Sequence, residues 1–103
     1  MLILPIKKKW FDMILSGEKK EEYREIKQYY ETRFQNLFGA ITIYPSSIFS
    51  DRSKYELLRC RLWIGKGRPK WGASQDKQYY VLEILSVEKL AADKTILQKA
   101  GDS

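Results

Sequence analysis

The chain has 103 residues, of which 44% are hydrophobic, 31% charged and 14% aromatic, enough for one globular core and too few for two. With no histidine and a single cysteine, Cys60, it cannot build a Ser-His-Asp or Cys-His triad, an imidazole-based zinc site, an intrachain disulfide or a CxxC knuckle. The net charge is +6, and residues 1–70 carry the excess with 15 basic and 8 acidic side chains against 4 and 5 in residues 71–103. A polyanion is therefore drawn to the first two thirds of the chain.

Leu2-Ile3-Leu4 reads as a short buried strand closed by Pro5, a residue confined to strand edges and ends. The positive run Lys7-Lys8-Lys9 follows the apolar stretch, the reverse of a secretory signal. No apolar run approaches the roughly 20 residues of a membrane helix, so the expectation is a cytoplasmic protein without a membrane partner. From Lys7 to Ser16 the spacing turns helical, with Trp10, Met13 and Ile14 on one stripe and Phe11 and Leu15 widening it. Trp10 and Phe11 read as core, and Gly17 stands where a helix ends in a left-handed residue.

Residues 18–26 are dense in charge and fit either a solvated helical face or a strand with Glu22, Arg24 and Ile26 on one side. A second helix is expected over Gln28–Phe38, its stripe running through Tyr29 or Tyr30, Arg33, Phe34, Leu37 and Phe38 to a stop at Gly39. Ala40–Tyr44 is β-branched and aromatic, a strand ended by Pro45, and the polar stretch from Ser46 to Lys54 reads as a loop. Glu56–Ile64 alternates cleanly. Leu58, Cys60, Leu62 and Ile64 form an apolar face, and Leu57, Arg59, Arg61 and Trp63 form the other. Cys60 then reads as a small buried hydrophobe and Trp63 as core.

A basic, glycine-containing loop follows, carrying Lys66, Arg68, Lys70 and Trp71, and lacks the spacing of a P-loop. Gln78–Val87 is a further strand, in which one of Tyr79 and Tyr80 faces inward and the other outward. Glu88–Ala100 suits a C-terminal helix, with 101–103 as a frayed tail. The element order suggests an α+β fold, a small and mostly antiparallel β-barrel with flanking or plugging helices, as one domain over residues 1–100.

The segment Gly17-Glu18-Lys19-Lys20-Glu21-Glu22-Tyr23-Arg24 fits the pattern G-x-K-x-x-E-x-R, which resembles the signature of the ASCH domain family, a branch of the PUA-like barrels. The apolar helix before it and the later Tyr79–Ile84 strand agree with that resemblance. It implies that residues 18–26 form a strand and that Lys19, Glu22 and Arg24 line a cleft for RNA or a modified nucleotide, with Gly17 making the turn. Some bacterial members are amidohydrolases acting on N4-acetylcytidine, and some are reported to cleave RNA. Where the amidohydrolases carry a threonine nucleophile, this chain has Glu22, and the neighbouring phenol of Tyr23 points to the other side of a strand.

The residues themselves support parallel readings. Arg24 offers a planar fork for phosphate or a base edge, Lys19 a point charge or a base, and Glu22 an acceptor for an exocyclic amine. The same three side chains equally suit an ion-pair network at a barrel mouth. A second candidate surface combines Arg59 and Arg61 with Lys66, Arg68, Lys70 and Trp71, cations for phosphate beside a ring for stacking. The leading expectation is an RNA- or nucleotide-binding module. The alternatives are a hydrolase with Lys19 and Glu22 as its acid–base pair, and a protein–protein adaptor. No cofactor or metal is expected.

Overall fold

The computed structural model describes residues 2–47 and 51–90, the side chain of Arg52 excepted. Strand β1 (Ile3–Ile6) leads into helix α1 (Lys8–Ser16), strand β2 (Glu21–Glu25) and helix α2 (Gln28–Phe34). Strands β3 (Ala40–Pro45), β4 (Glu56–Lys66) and β5 (Gln78–Lys89) complete the sheet, with single 3-10 turns at Arg52–Lys54 and Pro69–Trp71. The fold is α+β, built on one five-stranded sheet of order β1-β3-β4-β5-β2. Only β1 and β3 run parallel.

The sheet is open, not the closed barrel the sequence suggested: β1 and β2 are its two edges. Pro5 lies within β1, where it removes a backbone donor, so this edge is poorly suited to continuing a ladder. Across the gap runs a side chain. Arg24 on β2 donates from Nη2 to the Pro5 carbonyl at 2.7 Å.

One face of the sheet holds the core. Ile41, Ile43, Leu58 and Leu82 are fully buried there with Cys60 and Tyr80, beneath Phe11 and Ile14 of α1 and Phe34 of α2. The apolar stripe on α1 is what brings the helix down onto the strands. Gly17 closes it at φ 85°, its N–H returned to the Ile14 carbonyl, a conformation that favours glycine.

Helix α2 is shorter than its apolar stripe implies. It ends at Phe34, because the chain must turn there to deliver Ala40 into register with Arg59. Leu37 still packs on the core, whereas Phe38 is 90% exposed. The β4 face also departs from its alternation. A register shift between Arg59 and Cys60 leaves Leu85 without a cross-strand partner and exposed, and Ile64 runs past the core into solvent. Trp63, expected inside, is 40% exposed on the opposite face. Glu88 and Lys89, expected in a helix, extend β5. Leu90 is likewise non-helical, its N–H donating to the Tyr55 carbonyl, and residues 91–103 lie outside the described residues. Among the described residues no helix is long and apolar enough to cross a membrane.

Candidate functional site

The charged segment after Gly17 leaves helical form and becomes edge strand β2. Its placement begins with the turn, in which the Lys19 N–H donates to the Met13 carbonyl and ties the chain back to α1. In the β2–β5 register Glu22 lies opposite Leu82 and Arg24 opposite Tyr80, so both carboxylate and guanidinium sit on the core face, at its rim.

Lys19, Glu22 and Arg24 form one chain of charge. Lys19 Nζ is 3.2 Å from Glu22 Oε1, and Glu22 Oε2 accepts from Arg24 Nη2 at 2.9 Å and Nε at 3.2 Å. Lys19 is 1% exposed, one of the largest fully buried side chains among the described residues. Its ammonium donates to the carbonyls of Glu21 and Trp71 and lies 5.4 Å from the Trp10 ring and 4.9 Å from the Tyr23 ring. With Glu22, these two carbonyls use all three of its donors. Burial lowers the Lys19 pKa, and the Glu22 carboxylate opposes that shift. Arg24 is similarly engaged, with Nη1 donating to the Tyr30 hydroxyl at 3.0 Å.

The network borders an open cleft of about 640 Å³, a size suited to a small-molecule ligand. Glu22 and Arg24 face it, with the rings of Trp10, Tyr23, Tyr30, Trp71 and Tyr79 around it. Lys7, Lys27 and Lys77 stand on its rim. Glu22 keeps unused acceptor capacity, since a carboxylate can take about four hydrogen bonds. Tyr23 projects to the opposite face from Glu22, as strand alternation requires, yet its ring still lines the cleft because β2 is an edge.

A second wall comes from the loop between β4 and β5. The Tyr23 hydroxyl donates to Glu21 Oε1 at 2.7 Å and accepts the Arg68 N–H at 2.9 Å, and burial raises its pKa above the ordinary tyrosine range. Gly67 permits this contact. A Cβ there would lie 2.6 Å from the Ala73 Cβ and 2.7 Å from the Tyr23 ring, so the loop could not close as it does.

Of the residues proposed from sequence, Glu22, Arg24 and Trp71 reach the cleft, and Lys19 sits buried behind them. Arg68 and Lys70 flank the Trp71 ring at 5.5 and 4.8 Å without lining the cleft. Arg59, Arg61 and Lys66 are elsewhere on the surface, each facing a carboxylate: Glu88 at 3.6 Å, Glu83 at 4.0 Å and Asp76 at 3.5 Å. Trp10, assigned to the core from its helical spacing, is a half-buried wall of the cleft. Of the tyrosine pair, Tyr80 faces the core and Tyr79 packs on Tyr23, with ring centroids 5.6 Å apart. Tyr30, Lys27 and Lys77 carried no local sequence signal for a site. Among the described residues no cluster of carboxylates and thiols could hold a metal ion.

No family model, curated protein or solved structure matches the chain at a significant level.

Proposed function

We propose that the protein is an ASCH-type nucleotide-binding module whose cleft receives one nucleobase. The observation that carries this reading is Glu22: a nearly buried carboxylate, held between two cations, with acceptor capacity left over and facing a cleft lined by aromatic rings. Such a carboxylate accepts from the exocyclic amine of a base. Trp10, Tyr30, Trp71 and Tyr79 supply apolar faces for the ring, and the rim lysines Lys7, Lys27 and Lys77 supply charge for phosphate. The G-x-K-x-x-E-x-R motif supports the ASCH assignment because its charged side chains form one network beside the cleft. On this reading the protein binds cytoplasmic RNA or nucleotides.

The hydrolytic alternative has less support. Lys19 as a base would need a free lone pair and access to the ligand, whereas its three donors go to protein acceptors and it is sealed beneath Trp10 and Tyr23. An adaptor role finds no specific geometric support in the cleft.

Calorimetric titration with the four 5′-mononucleotides at low salt tests the proposal. Cytidine, adenosine and guanosine nucleotides, which carry an exocyclic amine, bind more tightly than the uridine nucleotide, which has none, by about 1–3 kcal/mol for a well-formed pair. Tyr30→Ala weakens all of them. If none of the four binds, or if the uridine nucleotide binds best, the assignment of Glu22 as the base reader fails.

A further inference from the structure

The cleft does not end at Tyr30. That ring lines the cleft, stacks on Phe34 at 5.6 Å between centroids and meets Tyr29 edge-on at 4.9 Å, with an interplanar angle of 87°. Tyr29 is 51% exposed on the outer side of α2. The Arg33 guanidinium lies 3.5 Å from its ring centroid and is held there by a hydrogen bond from Nη1 to the Tyr29 carbonyl at 3.2 Å. Arg33 also borders a shallow groove of about 330 Å³ shared with Leu37 and Phe38. A continuous line of rings and cations thus leads from the cleft, over Lys27, to the far side of α2.

Two features set this line apart from an ordinary helix surface. Tyr29 and Phe38 expose aromatic area that no described part of the chain covers. Lys27 and Arg33 make no ion pair among the described residues, so neither cation is held by a carboxylate there. The sheet's outer face, with Trp63, Arg59 and Arg61, is the rival surface, but both of its arginines face a carboxylate. A guanidinium stacked on a phenol is flat, cationic and rich in unused donors, a combination that suits a base stacked above and a phosphate beside it.

We infer that the exposed face of α2 bearing Tyr29 and Arg33, together with Phe38 in the segment that follows the helix, is a second nucleotide seat that continues the cleft, so that the ligand is a single-stranded nucleic acid and not a free nucleotide. The inference rests on the reading of the cleft as a nucleotide site. The occupant follows from charge and continuity: a strand anchored by one base in the cleft carries its next phosphates past Lys27 and its next bases onto Tyr29 and Phe38.

Titration of the full chain with 5′-mononucleotides and with single-stranded RNA oligonucleotides of two to eight nucleotides tests this. Affinity rises with length, by about five- to a hundred-fold for each stacked base. Tyr29→Ala and Arg33→Ala each remove much of that rise and leave mononucleotide affinity unchanged, while Tyr29→Phe preserves the rise. Circular dichroism and the unchanged mononucleotide affinity report that each variant is folded. Mononucleotide binding without any gain on lengthening, or a gain that survives both alanine substitutions, overturns the second seat and leaves the cleft reading standing. Absence of binding by mononucleotides and oligonucleotides alike overturns both.

Discussion

Arg24 on edge strand β2 donates from Nη2 to the carbonyl of Pro5 on the opposite edge strand β1, over 2.7 Å. A side chain therefore does at this seam what a backbone ladder does elsewhere in the sheet. The same guanidinium holds Glu22 and Tyr30, so the tie between the two sheet edges and the cleft geometry depend on one residue.

Substituting Arg24 by Met removes both the bridge and one of the two cations facing Glu22. Glu22 keeps Lys19, so the cost is that of lost hydrogen bonds to a buried carboxylate, about 1–3 kcal/mol, below that of a buried charge with no partner. Urea denaturation should show a loss in that range, and hydrogen exchange should quicken first in β1 and β2. Arg24→Lys, which keeps the charge without the fork, falls between the two. A wild-type midpoint for Arg24→Met would mean the seam is not held by this side chain.

Glu22→Gln strands the buried Lys19 ammonium and destabilises by about 3–5 kcal/mol, whereas Lys19→Met leaves Glu22 with Arg24 and costs less. Because the folded-state pKa of Lys19 is depressed, the unfolded chain binds this proton more tightly. The contribution of Lys19 to stability thus rises with pH from the depressed folded value up to about 10.4, the ordinary lysine pKa. The advantage of wild type over Lys19→Met, followed by urea midpoints across that window, should widen as pH increases. A constant difference would refute a depressed lysine.

Burial pushes the Cys60 thiol up to about 11. Above the unfolded pKa of about 9 the unfolded chain loses its proton first, so Cys60 draws stability down from there to about 11. Under native conditions at pH 8 the thiol should react with a disulfide reagent only as fast as the protein opens, and at once in urea. Rapid stoichiometric reaction of the native chain would contradict its burial.

Gly67→Ala forces the loop away from Tyr23 and Ala73. The expected cost is about 1–3 kcal/mol, as for overpacking, together with weaker mononucleotide binding because the Trp71 wall shifts. Arg59→Ala and Arg61→Ala serve as the contrast. Both side chains are mostly exposed, so stability should change by less than about 0.5 kcal/mol and mononucleotide affinity not at all.

Local chemistry in the chain was enough to place most elements. The helical stripe from Trp10 to Ile14 with Gly17 behind it, the β-branched run at Ile41–Ile43 and the alternation through Leu58 and Cys60 each carry their structure in a few adjacent residues. For Lys19, Glu22 and Arg24 the residues alone left helix and strand open, and only the G-x-K-x-x-E-x-R resemblance implied the turn and strand that bring them together. What the sequence could not disclose depends on distant residues meeting. The open edges β1 and β2 are tied by the Arg24 side chain on the Pro5 carbonyl, and the cleft wall is assembled from Trp10, Tyr30, Trp71 and Tyr79, drawn from two helices, a loop and a strand. Arg59 and Arg61 looked like binding residues because a list of basic side chains carries no record of the carboxylates across the ladder. Periodicity reports which side of its own element a residue occupies, whereas partners and solvent access are properties of the packed chain.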